Sequence, residues 1–302
     1  MHGDIALGIG GAVVGLLVGL TGMGGGALMT PMLVLLFGVT PATAISSDLV
    51  AALFMKPAGV ILHWRRGTVQ WPVVKYLCYG SVPSAFFGTY VMHLLGGSNG
   101  AQLLLQRILG SALILGALAM IARSLLHTKV STTAPRTVRP LATALIGVIG
   151  GFMVGLTSVG AGSLVLVLLM WIYPRLRSQQ LVGTDLSQSI PLTMAATAGT
   201  FLFGHVAWAV TLPIIVGSVP AVLLGSWLSS KELSRQLRPF LFTVVLLSGL
   251  KYVGLSVRLL GYAVIIGIIV AVGLALRAHR ETSRHQAIDL IEALDQRVPL
   301  LD

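Results

Sequence analysis

The sequence predicts an all-α, polytopic integral membrane protein made of two tandem homologous repeats. Three observations lead there. Apolar residues make up 55% of the chain and charged residues 10%, whereas soluble domains carry about 25% charged residues. Apolar runs such as "LLLQRILGSALILGALAMIA" and "LLGYAVIIGIIVAVGLALRA" recur along nearly the whole length, each long enough for the roughly 20 residues that cross a bilayer. The third observation is internal duplication.

"GLTGMGGGAL", starting at Gly19, aligns with "GLTSVGAGSL", starting at Gly155. After a one-residue insertion the match continues in a new register. "SSDL" falls on "GTDL", pairing Asp48 with Asp185, and "GTVQW" falls on "GHVAW", pairing Trp71 with Trp208. "GSVP" at Gly80 returns unchanged at Gly217. Shared apolar composition does not hold an Asp, a Trp and an intact tetrapeptide in one register. The expected organisation is a first membrane repeat at 1–126, a basic cytoplasmic linker at 127–140 and a second repeat at 141–255. An extra C-terminal transmembrane helix at 256–278 and a polar cytoplasmic tail at 279–302 follow.

Taken in order, each copy opens with two short apolar segments around a glycine-rich break, at about 5–20 and 26–38 in the first copy. At 1.5 Å per residue these reach roughly 24 and 19 Å, short of a 30 Å hydrocarbon core. Three longer runs follow, near 42–62, 71–95 and 102–126. The short pair is either one broken spanning helix or a re-entrant hairpin. An even number of crossings makes the copies parallel, and an odd number inverts them. Charge favours hairpins and inversion. With the N-terminus outside, Arg65, Arg66, Arg123, Lys129, Arg136, Arg139, Arg175, Arg177, Lys231, Arg235, Arg238, Arg277, Arg280 and Arg284 all fall inside. Only Lys251 and Arg258 are left outside, as the positive-inside rule prefers. Trp64, Trp71 and Trp208 read as interfacial belt residues, as do His63 and His205. Pro83 and Pro220 read as helix kinks.

The same placement of charge disposes of nucleic acid as a partner. The net charge is +11, but it sits in short loops between apolar runs, without a basic patch interleaved with aromatics. One cysteine, Cys78, allows no internal disulfide and no multi-cysteine metal site. "MHGDIALGIGG" lacks a basic n-region and a clear cleavage site, so a removable signal peptide is not expected. P-loop, H-E-x-x-H and G-x-S-x-G signatures are missing, and neither enzyme activity nor a cofactor is expected.

Why should a membrane segment break itself at Gly22–Gly26? Paired glycine-interrupted segments in two halves point to a transporter site near the midplane. The second half-helix of each pair starts near Gly26 or Gly162, and its free N–H groups and positive dipole end suit an anion. Candidate substrate-binding residues are Thr21, Gly22, Gly24, Gly25 and Gly26 in the first copy, with Ser46 and Ser47. In the second copy they are Thr157, Ser158, Gly160, Gly162, Thr184 and Gln188. Gly8, Gly11, Gly15 and Gly19, spaced three or four apart, read instead as a close-packing face. Asp48 and Asp185 are the acidic residues deepest in apolar runs and are the candidates for proton coupling. A repeated structural cap is the other reading of them. Lys56, aligned with Thr193, is assigned either to anion attraction or to snorkelling.

These glycine segments together with "SSDL" and "GTDL" resemble the sulfite exporter TauE/SafE family of bacterial permeases, also called the toluene sulfonate uptake permease family. The likeness covers most of residues 5–255. It implies transport of small sulfur-containing anions in the bacterial inner membrane. The reading that follows is a secondary transporter for sulfite or an organosulfonate, favouring export, with proton coupling as an added expectation. The partners are the anion and the lipid bilayer, and a homo-oligomer stays open. A small-anion channel and a membrane scaffold without transport of its own are the alternatives.

Overall fold

The computed structural model describes residues 2–255, except 23–24, 66, 98, 126–137, 161, 175, 205 and 230. The expected helix at 256–278, the tail at 279–302 and most of the 127–140 linker lie outside the described residues. So do Gly24, Arg66, Lys129, Arg136, Arg175, His205, Arg258, Arg277, Arg280 and Arg284, and the side chains of His63, Arg65, Arg123, Lys231, Arg235 and Arg238. Among the described residues there are ten helices and no strand. They are α1 (His2–Thr21), α2 (Gly26–Phe37), α3 (Pro41–Arg65), α4 (Trp71–Gly96) and α5 (Asn99–Leu125), then α6 (Pro140–Thr157), α7 (Leu164–Ile172), α8 (Ser178–Phe203), α9 (Trp208–Leu228) and α10 (Lys231–Val253).

The helix boundaries follow local chemistry. Proline stands in the first turn of α3, α4 and α6, where its missing N–H has no partner to lose. Gly38 ends α2 in the left-handed region (φ 66°), and the Val39 N–H returns to the Leu33 carbonyl at 3.1 Å. Pro83 lies within α4, and Pro213 and Pro220 within α9, without ending either helix.

One expectation needs correcting. The first segment is not short: α1 has 20 residues, or about 30 Å. The helix starts as early as His2 and runs through the Thr21 turn, where the Gly22 N–H still reaches the Val18 carbonyl at 2.8 Å. By length and composition Gly3–Thr21, Gly100–Ala122, Pro140–Thr157 and Trp208–Leu228 can each cross a membrane, whereas Gly26–Phe37 is shorter. Leu103, Leu118, Leu223, Phe87 and all five tryptophans are exposed, an apolar exterior suited to lipid.

Small residues knit the helices together. Along the α1–α9 seam Gly8 faces Pro213, Gly11 faces Ile214, Gly15 faces Ser218 and Gly19 faces Val222 and Gly225, so the two helices run parallel. The α4–α6 seam is built alike and is also parallel, with Gly147 on Leu77, Gly151 on Ser81 and Gly155 on Ala85. Parallel too are α4 and α8, through Ser81–Gln188 and Thr89–Gly199. By contrast α3 and α8 are antiparallel, through Leu49–Thr197 and Lys56–Ser189. So are α5 and α10, through Gly110–Val253 and Ile114–Gly249. Backbones this close have no room for side chains, which is what a small-residue face achieves in lipid.

A side chain at Gly15 would place its Cβ 2.5 Å from the Ser218 carbonyl oxygen, whereas Gly100 has nothing within 4 Å. Gly15→Val is therefore expected to cost about 1–3 kcal/mol, read as a lower melting temperature of the purified protein in detergent. Gly100→Ala is expected to leave that temperature unchanged.

Candidate functional site

The two glycine breaks meet. Gly26, the first residue of α2, lies against the carbonyl oxygen of Ser158, and a Cβ added there would overlap it. Ser158 caps α6 in the left-handed region (φ 59°), the one such non-glycine among the described residues. Its Cβ makes that conformation costly, so the surrounding structure must hold it. Gly22, Gly160 and Gly162 also have positive φ, at 65°, 123° and 87°. Glycine supplies these turns without a steric penalty. Gly22 is exposed, Gly25, Gly160 and Gly162 are buried, and Gly24 lies outside the described residues.

Asp48 stands beside the meeting point and is fully buried in α3. The Thr30 hydroxyl of α2 donates to its Oδ2 at 2.8 Å. Among the described residues Oδ1 has no hydrogen-bond partner. It faces the start of α2, 3.9 Å from where a Cβ on Gly25 would sit, and the Ser158 hydroxyl is also beside the carboxyl. The first N–H groups of α2 have no acceptor within their own helix. Hydroxyl donors, a helix N-terminus and a carboxyl group thus converge on one buried spot.

The charge is shared more widely. About two turns along α3, the Lys56 ammonium donates to the Thr193 hydroxyl and, at 3.4 Å, to the Ser189 carbonyl, both on α8. It is held between helices and does not reach for a helix end. Its positive charge acts on both Asp185 and Asp48. The Gln188 amide lies 3.5 Å from Asp185 Oδ1, and its own Oε1 accepts from Ser81 of α4 at 3.0 Å.

The other expected residues divide by what their polar atoms already do. The Thr21 hydroxyl donates to the Leu17 carbonyl at 2.6 Å, and the Thr157 hydroxyl donates to Met153 at 2.7 Å. Both protons are turned back into their own helices. Thr157 Oγ1 also accepts the Val159 N–H at 3.2 Å, pinning the α6 break. Ser47 accepts from Thr211 at 2.9 Å, and Thr184 accepts the Gln70 N–H at 3.0 Å, so each ties its helix to the start of another. Ser46 is buried near Gly204. Sequence reasoning missed Thr30. The available signal was that it is the sole polar side chain in "GALMTPMLVLLF". Thr193 was noticed as the position aligned with Lys56, though not as its partner.

A family model for the sulfite exporter TauE/SafE matches residues 7–252. This chain belongs to the sulfite exporter TauE/SafE family. A probable membrane transporter protein of Bacillus subtilis, YjnA, is 38% identical over 248 residues, covering 80% of this chain and 97% of that protein. A probable membrane transporter protein of Xylella fastidiosa is 27% identical, covering 80% and 92% respectively. One from Methanocaldococcus jannaschii is likewise 27% identical, covering 80% and 91%. No solved structure matches. This TauE/SafE protein is a multi-pass membrane transporter rather than an enzyme, and the match spans both glycine breaks and both aspartate helices.

In this TauE/SafE site, the Thr30 hydroxyl donates to Asp48 Oδ2 at 2.8 Å, beside the Ser158 hydroxyl. Thr30→Val is expected to destabilise the protein by about 1–3 kcal/mol, the usual penalty for stripping a buried acceptor. Thr30→Ser is expected to restore the loss. Thermal unfolding of the purified variants checks both.

Proposed function

We propose that this transporter carries a small anion, sulfite or an organosulfonate, out of the cell across the bacterial inner membrane. The anion binds beside the point where the two glycine breaks meet, against the start of α2 and the Ser158 hydroxyl, and Asp48 or Asp185 carries a coupled proton. The observation that carries this reading is the contact of Gly26 with the Ser158 carbonyl beside a buried carboxyl oxygen that has no partner among the described residues. A helix N-terminus with hydroxyls around it binds anions through its N–H groups and dipole. The family description names sulfite, whose negative charge suits such a seat. Gly22, Gly25, Gly160 and Gly162 shape the breaks. Ser46, Ser47, Thr184 and Gln188 line the helices behind them, Lys56 offsets the two carboxylates, and Thr21 and Thr157 fix the ends of α1 and α6.

The architecture in this proposal is a pair of inverted repeats, 1–126 and 141–255, joined by a cytoplasmic linker and followed by a further helix. Helix directions support it. Aligned helices α3 and α8 run antiparallel, and so do α5 and α10. In the second copy α6 and α8 both run parallel to α4, so the chain turns back along α7 and turns again into α8, as a hairpin requires. Alternating access then works by moving one copy against the other around the shared site. With the cell interior negative, each charge exported with its gradient gains about 2.3 kcal/mol per 100 mV.

Proteoliposomes preloaded with sulfite test the reading. Saturable efflux that grows with an imposed interior-negative potential is expected, and Gly26→Ala is expected to lower it at least about tenfold, equivalent to about 1.4 kcal/mol. Efflux that never saturates makes the protein a channel. Undiminished flux in Gly26→Ala moves the site elsewhere, and absence of sulfite and methanesulfonate flux removes the substrate claim. Topology has its own test. In a Cys78→Ser background, cysteines at Thr40 and Ser178 are expected to react from opposite membrane faces, whereas broken spanning helices place them on the same face.

A further inference from the structure

We propose that the transported proton sits on Oδ1 of Asp48, and that this O–H group donates directly to the bound anion, so that anion and proton enter the site together. The inference rests on the anion seat proposed above. It singles out one carboxylate of two and one oxygen of that carboxylate.

Asp48 is fully buried, and its two oxygens are not equivalent. Oδ2 accepts from Thr30 at 2.8 Å, while Oδ1 has no partner among the described residues and faces Gly25 at the start of α2. A buried carboxylate oxygen without a donor is an unstable arrangement unless something else occupies the space before it. When ionised, Asp48 repels an anion from that space. When neutral, its Oδ1–H completes the ring of donors formed by the N–H groups of α2 and the Ser158 hydroxyl, and a hydrogen bond to an anion is among the strong ones. The proton comes from water and returns to it on the far side, so no other group need exchange it.

The surroundings favour Asp48 over Asp185. Lys56, on the same helix, is the charge that faces Asp48, and it also serves Asp185 from α8. No titratable side chain is contributed by α2, α6 or α9. Lys75 and His93 of α4 and Arg107 of α5 are exposed. The position of the second copy that aligns with Thr30 is Leu166, and the Asp185 carboxyl has Gln188 of its own helix beside it.

Calorimetry on the purified full-length protein with methanesulfonate, which stays ionised throughout the accessible pH range, tests the assignment. In the wild type the apparent Kd is expected to weaken about tenfold per pH unit on the alkaline side, and each anion bound is expected to withdraw about one proton from a weakly buffered solution. Asp48→Asn is expected to bind with an affinity independent of pH and to take up no proton, while Asp185→Asn keeps both behaviours. Binding without proton uptake by the wild type overturns the inference whether or not the variant folds, and so does a pH slope retained in Asp48→Asn. If neither methanesulfonate nor sulfite binds at any pH, the anion seat itself is wrong.

Discussion

The close approach of Gly26 to the Ser158 carbonyl sets the terms for the rest of the molecule. Two chain breaks inside an apolar environment each expose backbone groups that hydrocarbon cannot satisfy. Bringing the breaks together gives them polar company. The cost is steric, because one methyl group at residue 26 would part them. Everything that holds α1 and α6 in place therefore serves this contact. The α1–α9 seam ends at Gly19 and Gly225, just before the first break, and the α4–α6 seam ends at Gly155 and Ala85, just before the second. The glycines of the seams and the glycines of the breaks do different work. Those in the seams let helices approach, and those in the breaks allow backbone conformations closed to other residues.

Charge is arranged around the contact with equal economy. Two buried carboxyl groups and one ammonium share the space between α3 and α8. A buried ion is stable only with partners, and Lys56 has two hydrogen bonds on α8 in addition to the two acids it faces. One of those bonds goes to Thr193, the position that aligns with Lys56 itself.

Much of this was legible in the sequence, and what escaped did so for physical reasons. The helix ends at Phe37, Trp71 and Leu125 fall within a residue of the expected limits at 38, 71 and 126, because glycine, proline and polar loops punctuate the apolar runs. The glycine spacing in α1 pointed to a packing face, since a period of three to four places small residues on one side of a helix. Asp48 and Asp185 stood out because burying an acid is expensive wherever it occurs. The length of α1 did not, because His2 and Asp4 break the apolar pattern without breaking the helix. Thr30 was hidden among apolar neighbours, as its partner lies 18 residues away and no local pattern links the two. Thr21 and Thr157 have bonds that the sequence does not display. A hydroxyl near a break looks available, yet in a helix it can bond the carbonyl four residues back, as both do.

The number of charges on the substrate now decides the direction of transport. A monovalent sulfonate travelling with one proton moves no net charge, so the membrane potential exerts no force on it. Such a substrate follows its own gradient and that of the proton, which is inward in a cell acidic outside. Fully ionised sulfite keeps one net negative charge when it travels with the proton, and an interior-negative potential then pushes it out by about 2.3 kcal/mol per 100 mV. In the coupling proposed above, export driven by the potential therefore belongs to sulfite, while an organosulfonate leaves only down its own outward gradient. Both outcomes rest on the single oxygen of Asp48 that has no partner among the described residues.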